Sequence, residues 1–189
     1  MQDSRTAARY AIFLAGKYRN IRELYSRIPE RGIAVNELMT SLLAQEEELQ
    51  FDAFANEDAF ALGSLICTIA AEEIGKGIAV HIENDEHPLF THYMTGTSKD
   101  NIYWVNTKKN VVNHYGHSSL YVGEMYKAQG TTFKDGSGLP LSDYQGEGGS
   151  FPLVVRGQGK IGTVTVSGLT GEEDHWCAVE GIRRLLQGK

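Results

Sequence analysis

The stretch FPLVVRGQGKIGTVTVSGLTGEEDH (residues 151–175) decides the fold, because it predicts two strands, the turn between them and the start of a helix. The apolar run Phe151–Val155 and the alternating run Ile161–Ser167 are typical of strands, and the glycines at 157 and 159 favour a β-hairpin. Thr170 and Glu173 have the spacing of a capping box, so the last helix is predicted to begin there. Its buried stripe is predicted to contain Trp176, Val179, Ile182, Leu185 and Leu186.

Periodicity also predicts the elements that precede this stretch. In chain order they are a short helix from Leu38 through Glu48, a strand over 49–54, a helix capped by Asn56 and ended by Gly75, a hairpin of residues 78–82 and 89–93, and a helix over Asp100–Tyr115 followed by a glycine-rich loop from Gly130 to Gly149. The order β-α-β-β-α-β-β-α has about five strands, joined mostly by hairpins. It predicts an α+β fold with a mostly antiparallel sheet flanked by helices.

The first 38 residues form a predicted N-terminal helical extension to a single domain over residues 39–189. Apolar residues recur every three or four positions from Tyr10 to Ile28, with Arg and Lys between them, which is typical of an amphipathic helix. Residues 1–33 hold seven Lys and Arg against three Asp and Glu, a net charge of +4, so the other residues carry −10. A start at Met39 would leave this basic extension untranslated, and both alternatives stay open.

Composition argues against several classes of protein. The acidic domain is expected to repel a phosphate backbone, so no nucleic acid partner is predicted. No apolar run approaches the roughly 20 residues that cross a bilayer, so no membrane contact is predicted. Cys67 and Cys177 are too few for a disulfide framework, and reduced thiols indicate a cytoplasmic protein.

Two short motifs have both a structural and a functional interpretation. The segment Gly157–Gly162 matches the dinucleotide-binding pattern G-x-G-x-x-G, but a strand rather than a helix follows it, which favours a hairpin turn. In the segment Gly116-His117-Ser118-Ser119 a base lies beside two hydroxyls, and a catalytic interpretation would use Asp174 as the orienting acid. A serine that caps the short helix from Leu120 is the simpler interpretation.

Charged and imidazole side chains are equally open to two interpretations. The six histidines have none of the local spacings of a metal site, so no metal is predicted. Lys108 falls on the apolar stripe of its helix with Trp104 and Tyr115, where it either meets an acidic ligand or extends its ammonium group to water. Three acids at 172–174 already satisfy the positive end of the last helix, so a pocket there is expected to prefer a cationic or hydrogen-bond-donating group.

Several separated motifs resemble the HbpS/GlcG-like family, which is often labelled haem-degrading, and within it a small uncharacterised cytosolic branch. The resemblance covers about Leu43 to Leu186. It rests on Phe51–Phe54 with Asp58-Ala59 and Leu62-Gly63, on Asp100-Asn101 with Trp104 and Lys108, on Gly116–Ser119, on Gly148-Gly149 with Phe151-Pro152, and on Thr165–Leu169 with Glu173–His175. A histidine is expected before the glycine pair, where this chain has Glu147.

The resemblance implies a profilin-like fold and a homo-oligomer built from dimers. It also implies a groove that gathers polar motif residues, and the candidate ligand-binding residues are Trp104, Lys108, His117, Ser119, Glu147, Gly149, Ser167 and His175. The family label makes haem a candidate cofactor, although no axial ligand can be assigned in this sequence.

Two functions therefore compete. The first is a small-molecule-binding protein, with haem or another tetrapyrrole as one candidate ligand that is bound or degraded. In an enzyme of this kind His117 or His175 would move protons while Lys108 fixes an acidic substituent. The second is a non-enzymatic homo-oligomeric adaptor, in which the same motifs stabilise subunit contacts.

Overall fold

A computed structural model describes the backbone of residues 33–188 and the side chains from residue 37 onward. The helix predicted for the N-terminal extension lies outside the described residues and stays a prediction. Within the described part of the chain, no helix is long and apolar enough to cross a membrane.

Helices and strands alternate much as the sequence predicts. In chain order they are α1 (Ile33–Glu48), α2 (Asn56–Ile69) continued by a π-helical turn (Ala70–Ile74), β1 (Ala79–Asn84), β2 (Pro88–Tyr93), α3 (Lys99–Tyr115), α4 (Ser119–Ala128), α5 (Phe133–Gly136), β3 (Ser150–Val155), β4 (Gly159–Ser167) and α6 (Gly171–Gly188). The helices predicted from residue 38 onward are confirmed. The short helix α5 is an addition, because it lies inside the segment that the sequence predicts to be a loop.

The strands form one sheet in the order β2-β1-β4-β3, and every neighbouring pair is antiparallel. Both predicted hairpins, β1–β2 and β3–β4, are therefore confirmed, as is the α+β class with helices flanking an antiparallel sheet. The name profilin-like stays a prediction.

The prediction of about five strands is wrong, because the segment 49–54 is not a strand. Phe51 makes a single parallel bridge to Val155 at the edge of β3. Its N–H donates to the carbonyl of Val154 over 2.9 Å, and its own carbonyl accepts from Arg156 over 2.8 Å. The alternating burial of Leu49 and Phe51 arises because both side chains pack into the core beside the sheet. Alternation of this kind is shared by strands and by extended segments that lie along a core.

Helix starts are positioned by local hydrogen bonds. The prediction that Asn56 caps α2 is wrong: Ala55 precedes the helix, and its N–H donates to the Asp58 carboxylate over 2.8 Å. The capping box of α6 is confirmed, because the N–H of Glu173 donates to the Thr170 hydroxyl over 3.3 Å and the N–H of Thr170 donates to the Glu173 carboxylate over 3.2 Å.

The segment Gly157–Gly162 forms the β3–β4 turn and the start of β4, so the hairpin interpretation is confirmed. Gly157 and Gly159 have φ values of +78° and +84°, which favour glycine because a side chain would be strained there. No helix follows the glycines, and the phosphate-binding arrangement of a dinucleotide fold is therefore missing from this turn.

One face of the sheet, called the apolar face, packs against α2 and α6. Its strand residues include Val80, Ile82, Phe151, Leu153, Val164 and Val166, all at most 1% exposed. They meet Leu62 and Ile66 of α2 and Ile182 of α6, so this interface forms the main hydrophobic core.

The opposite face of the sheet, called the polar face, packs against α3. Its buried polar residues are His81, Ser150, Thr163, Thr165 and Ser167. The β1–β4 and β3–β4 registers place Thr165 opposite both His81 and Ser150, so polar side chains form a row across the sheet.

The boundary between residues 38 and 39 falls within a helix. The helix α1 begins at Ile33, and Leu38 is buried against Leu42 and Leu120. The division into an extension and a domain stays a prediction.

Candidate functional site

A cavity of about 370 Å³ opens where the start of α3, the end of β4 and the start of α6 meet. The α3 helix contributes Asp100, Asn101, Trp104 and Lys108. The remaining lining residues are Glu147, Ser167, Gly168, Leu169, Gly171 and Asp174. The volume lies within the range of small-molecule pockets, roughly 300–1,000 Å³.

Asn101 joins the first turn of α3 to the end of β4. Its Nδ2 donates to the Ser167 carbonyl over 3.2 Å and to the Ser167 hydroxyl over 3.3 Å. Its Oδ1 accepts from the N–H of Ser98, and the Ser98 hydroxyl in turn accepts from the N–H of Asp100. The capping interactions that begin α3 therefore also fix one wall of the cavity.

The turn from β4 into α6 forms the opposite wall. Gly168 has a φ of +148°, and a Cβ at this position would lie 3.1 Å from the carbonyl oxygen of Gly77. The N–H of Leu169 donates to Asp174 Oδ1 over 3.0 Å. A tight glycine turn and this hydrogen bond place Asp174 at the base of the cavity.

Lys108 and Asp174 form a buried ion pair in the cavity wall. Lys108 Nζ lies 2.8 Å from Asp174 Oδ2, and the two side chains are 4% and 1% exposed. The ammonium group also donates to the Val166 carbonyl over a long 3.4 Å and lies 5.9 Å from the centre of the Trp104 ring. The interpretation in which Lys108 extends to water is wrong, because a carboxylate on α6 holds its ammonium group inside the protein.

Burial of this ion pair removes water from both charged groups, which costs free energy. Burial raises the pKa of the Asp174 carboxyl, and the charge of Lys108 with the N–H groups of Leu169 and Gly168 opposes this rise without cancelling it. A buried ion pair is a poor source of stability, since the desolvation of both groups can exceed their attraction. Charged groups kept in a cavity wall despite that cost are typical of functional sites.

Gly149 explains how the ammonium group fits. It has a φ of +130°, and a Cβ there would lie 2.5 Å from the Val166 carbonyl oxygen and 2.8 Å from Lys108 Nζ. Any larger residue would displace the ammonium group from Asp174. Gly149 therefore lies behind the cavity wall and leaves space for Lys108.

The structure brings together part of the candidate groove. Trp104, Lys108, Glu147 and Ser167 line the cavity, with Glu147 exposed at its mouth. The other four candidates, Gly149, His117, Ser119 and His175, are not among the residues that line it.

His117 lies in the α3–α4 connection beside α1. Its Nδ1 is 2.6 Å from Glu46 Oε2, and its ring packs against Tyr121. The other oxygen of Glu46 accepts from the N–H of Ser118 over 2.7 Å. Asp174 pairs with Lys108 instead, so the prediction that Asp174 orients His117 is wrong. The capping interpretation is confirmed, because the Ser118 hydroxyl accepts from the N–H of Tyr121.

Ser119 belongs to the hydrogen-bonded row on the polar face. Its hydroxyl accepts from the N–H of Ser150 over 3.0 Å and is 3.3 Å from the Ser150 carbonyl. The Ser150 hydroxyl is in turn 2.8 Å from the hydroxyl of Thr165. This serine therefore attaches α4 to the edge strand β3.

His175 is fully buried against Phe151 on the apolar face. Its Nε2 is 3.0 Å from Gln45 Oε1, while its Nδ1 has no hydrogen-bond partner. Burial lowers its pKa to about 3, so it does not exchange protons near neutral pH. Within residues 37–188 no group of three or more His, Cys, Asp or Glu side chains converges on a metal position.

The candidate ligand-binding residues left out three polar residues of the cavity, Asp100, Asn101 and Asp174, although all three belong to motifs that support the family resemblance. A signal for one of them was present, because Asp100, Trp104 and Lys108 are spaced four apart and so share one face of α3. The contact between Lys108 and Asp174 spans 66 residues, and nothing in the local sequence indicates it.

Comparisons with known proteins support a single family. The family model described as "Haem degrading protein HbpS-like" matches residues 54–183. A UPF0303 protein of Streptomyces coelicolor is 41% identical over 148 residues, which are 78% of this chain and 93% of that protein. A UPF0303 protein of Burkholderia ambifaria is 42% identical over 144 residues, which are 76% of this chain and 87% of that protein.

Solved structures share the fold. The crystal structure of the Ybr137w protein is 28% identical with a TM-score of 0.76, and the match covers 88% of this chain and 95% of that one. The crystal structure of HbpS is 20% identical with a TM-score of 0.57, and the match covers 72% of this chain and 92% of that one. At that identity the likeness to HbpS concerns the fold alone. The family model and the curated relatives together show that this chain belongs to the HbpS-like family.

Proposed function

We propose that this protein binds a small organic molecule in the cavity between α3, β4 and α6. The observation that carries the proposal is a buried ammonium group, that of Lys108, in the wall of a cavity of about 370 Å³. Lys108 has three N–H donors, of which Asp174 takes one and the Val166 carbonyl takes another over a long distance. The remaining donor favours a ligand that offers an acceptor.

The other wall groups suit ligand binding as well. Trp104 is half-buried and contributes an indole ring, and the walls offer hydrogen-bonding groups at Asn101 and Ser167. A pocket with one aromatic surface and a few convergent polar groups is the usual arrangement for small-molecule recognition.

The residues of this cavity do not fit haem. A haem iron takes an axial histidine, cysteine, methionine or tyrosine, and none of the residues that line the cavity is of these types. His117, which lies elsewhere, has its Nδ1 held by the Glu46 carboxylate, as in many metal-binding histidines. Binding of a tetrapyrrole would therefore have to use a surface other than the cavity, and the surface near His117 is one candidate.

The two tryptophans of the chain provide the test. A library of small organic molecules is screened by heteronuclear NMR of the indole N–H groups. Ligands of the cavity are expected to shift the Trp104 signal and to leave Trp176, which does not line the cavity, unchanged.

Trp104→Ala removes the reporting indole, so its affinity is measured by isothermal titration calorimetry, and it is expected to bind the ligands more weakly. Ile102→Ala is the control, because Ile102 is an exposed apolar residue of the same helix that does not line the cavity. Failure of every compound to move the Trp104 signal would contradict the proposal. A parallel titration of tag-free protein with haemin is expected to give no saturable Soret shift. A saturable shift lost in His117→Ala would instead favour a tetrapyrrole at His117.

A second candidate function is the homo-oligomeric adaptor, and one surface favours it. The edge strand β2 carries Phe90, and Phe60 of α2 packs against this ring while remaining 68% exposed. An exposed aromatic patch beside a sheet edge is typical of a surface that pairs with another chain. Phe60→Glu is then expected to dissociate the assembly in light-scattering measurements, whereas Glu57→Gln leaves it intact.

A cytoplasmic location would suit the two free thiols, Cys67 and Cys177.

A further inference from the structure

The charges around the cavity are unequally distributed between its base and its mouth. Its lining holds three carboxylates, those of Asp100, Glu147 and Asp174, against one ammonium group, that of Lys108. Lys108 and Asp174 neutralise each other at the base. The two carboxylates that remain, Asp100 and Glu147, are exposed at the mouth. The cavity therefore presents negative charge to an entering molecule.

Neither carboxylate at the mouth forms an ion pair with a basic side chain in the described part of the chain. Lys127 lies near enough to sense Glu147, but its Nζ bonds to Glu124 over 2.7 Å. The pKa of Lys127 is raised overall. Burial lowers it, but this effect is outweighed by the hydrogen bond to Glu124 and by the charges of Glu124, Glu147 and Glu172. The one nearby ammonium group thus lies among carboxylates and leaves the mouth acidic.

The base of the cavity has the opposite requirement. Two N–H groups of Lys108 are directed at Asp174 and Val166, and the third has no partner among the described residues. Since Lys108 is only 3% exposed, a ligand acceptor is the group that can satisfy the third donor without exposing it to water. The Trp104 ring lies between this base and the Asp100 end of the same helix face, where it offers a π surface to a cation.

We propose that the ligand is a small organic cation, an amine or a guanidinium compound, whose other end carries a neutral hydrogen-bond acceptor for Lys108. This inference rests on the proposed binding function and names its ligand class. The cationic group lies at the mouth between Asp100 and Glu147, and the acceptor reaches Lys108 at the base. Anionic molecules are disfavoured by the same two carboxylates, and the class of dianionic tetrapyrroles is disfavoured with them.

Four probes of one shape test the charge preference. They are para-(aminomethyl)benzamide, which has both a cation and an acceptor; para-methylbenzylamine, which has the cation alone; para-methylbenzamide, which is neutral; and para-carbamoylbenzoate, which is an anion. Affinities are measured from the Trp104 indole signal. We expect the aminomethyl benzamide to bind most tightly and the benzoate to bind at least about tenfold more weakly.

Charge-neutral variants locate the effect. Asp100→Asn and Glu147→Gln are each expected to weaken the two amine probes by about two- to fivefold and to leave para-methylbenzamide unchanged. Glu86→Gln is the matched control, because Glu86 lies in the β1–β2 turn, at the end of β1 away from Ser167.

The outcomes separate the two proposals. Equal or tighter binding of the neutral or anionic probe, with the Trp104 signal moving, would overturn the cation preference while supporting a ligand cavity. An equal loss for all probes in Asp100→Asn would also overturn it, because that pattern indicates damage to the wall. If no probe moves the Trp104 signal, the cation preference is overturned. If, in addition, no compound of the library shifts the Trp104 signal, the proposed binding function is contradicted as well.

Discussion

The two faces of the sheet are buried to a similar extent but by different chemistry. On the apolar face, Ile82 and Val164 pack against aliphatic residues of α2 and α6. On the polar face, the neighbouring positions His81, Thr163 and Thr165 are also buried but carry hydrogen-bonding groups. Adjacent residues of β1 and β4 therefore face two unlike interiors, because successive side chains of a strand point to opposite sides.

The apolar face mainly stabilises the fold, whereas the polar face supplies the groups that a ligand can bind. The apolar face gains free energy from the removal of hydrocarbon from water, at roughly 25 cal/mol per Å². The polar face exchanges hydrogen bonds with water for hydrogen bonds within the protein, and each gives a small net gain. The cavity lies at the end of the polar face, beside Ser167 and Lys108, where polar groups are available to a ligand. We therefore expect substitutions on the two faces to respond differently to charge, pH and the loss of a hydroxyl.

Removal of one partner of the ion pair is expected to have the largest effect. Asp174→Ala leaves the Lys108 ammonium group buried without a carboxylate, which should cost about 3–5 kcal/mol of unfolding free energy in urea titrations. The double variant Lys108→Met with Asp174→Asn should recover most of this loss, because no buried charge remains and the amide oxygen still accepts from Leu169. A double variant as unstable as Asp174→Ala would mean that the polar face gains its stability from the pair itself.

On the apolar face, the buried His175 should make the free energy of unfolding depend on pH. Its folded pKa is lowered by burial to about 3, so the unfolded chain binds a proton that the folded chain excludes. The contribution of His175 is complete above pH about 6.5 and is lost as the pH falls towards 3, by at most about 1.4 kcal/mol per pH unit.

His175→Gln keeps an amide next to Gln45 and removes the titration. Urea midpoints of this variant should therefore fall less steeply than those of the native chain between pH 6.5 and 4, and the exposed His92→Gln serves as the control. Parallel slopes for the native chain and His175→Gln would show that His175 is reached by water.

The polar face should show a pH trend of the same sign, but at lower pH, through Glu83. Burial raises the pKa of this carboxyl, but hydrogen bonds from His81 and Lys109 and their charges lower it to about 2. Its stabilisation is present above pH about 4.5 and is lost as the pH falls through about 2.

Glu83→Gln should cost about 1.5–3 kcal/mol at pH 6, and the difference from the native chain should shrink as the pH falls towards 3. The native chain should likewise lose its advantage over His175→Gln, but from pH about 6.5 downward, whereas the loss at Glu83 begins near pH 4.5. Urea midpoints at pH 6, 4 and 3 measure both trends, and a Glu83→Gln difference that is constant with pH would contradict the assignment.

Much of this arrangement was predictable from local sequence patterns. Alternation at Ile161–Ser167 predicted the strand that has one apolar and one polar face, and Thr170 with Glu173 predicted the start of α6. The segment around Phe51 was not predictable in the same way, because an alternating pattern does not distinguish a strand from an extended chain that follows the core edge.

The candidate site was predictable in part. Lys108, Trp104, Glu147 and Ser167 do line one cavity, whereas His117 and His175 lie on other surfaces of the fold. Both histidines flank helix starts in the sequence, and that position alone does not determine which side of the sheet a helix covers. Long-range contacts decide this, such as those of His117 with Glu46 and of His175 with Gln45.

Two threonines on one strand give the smallest and most closely matched comparison. Thr163 and Thr165 are both fully buried on the polar face, but the Thr165 hydroxyl is 2.8 Å from that of Ser150, whereas the Thr163 hydroxyl has no hydrogen-bond partner. Thr165→Val should therefore destabilise the protein by about 1 kcal/mol, and Thr163→Val should stabilise it by a similar amount, because an unsatisfied buried hydroxyl costs about 1–3 kcal/mol.

Urea titrations of the two variants measure this difference at constant shape. Valine matches threonine in volume, so the opposite signs would come from the hydroxyl groups and their partners alone. If both substitutions were destabilising, the Thr163 hydroxyl would have to be satisfied by a buried water molecule. The polar face would then contain solvent between α3 and β4, and the cavity at its end would be one part of a longer hydrated layer.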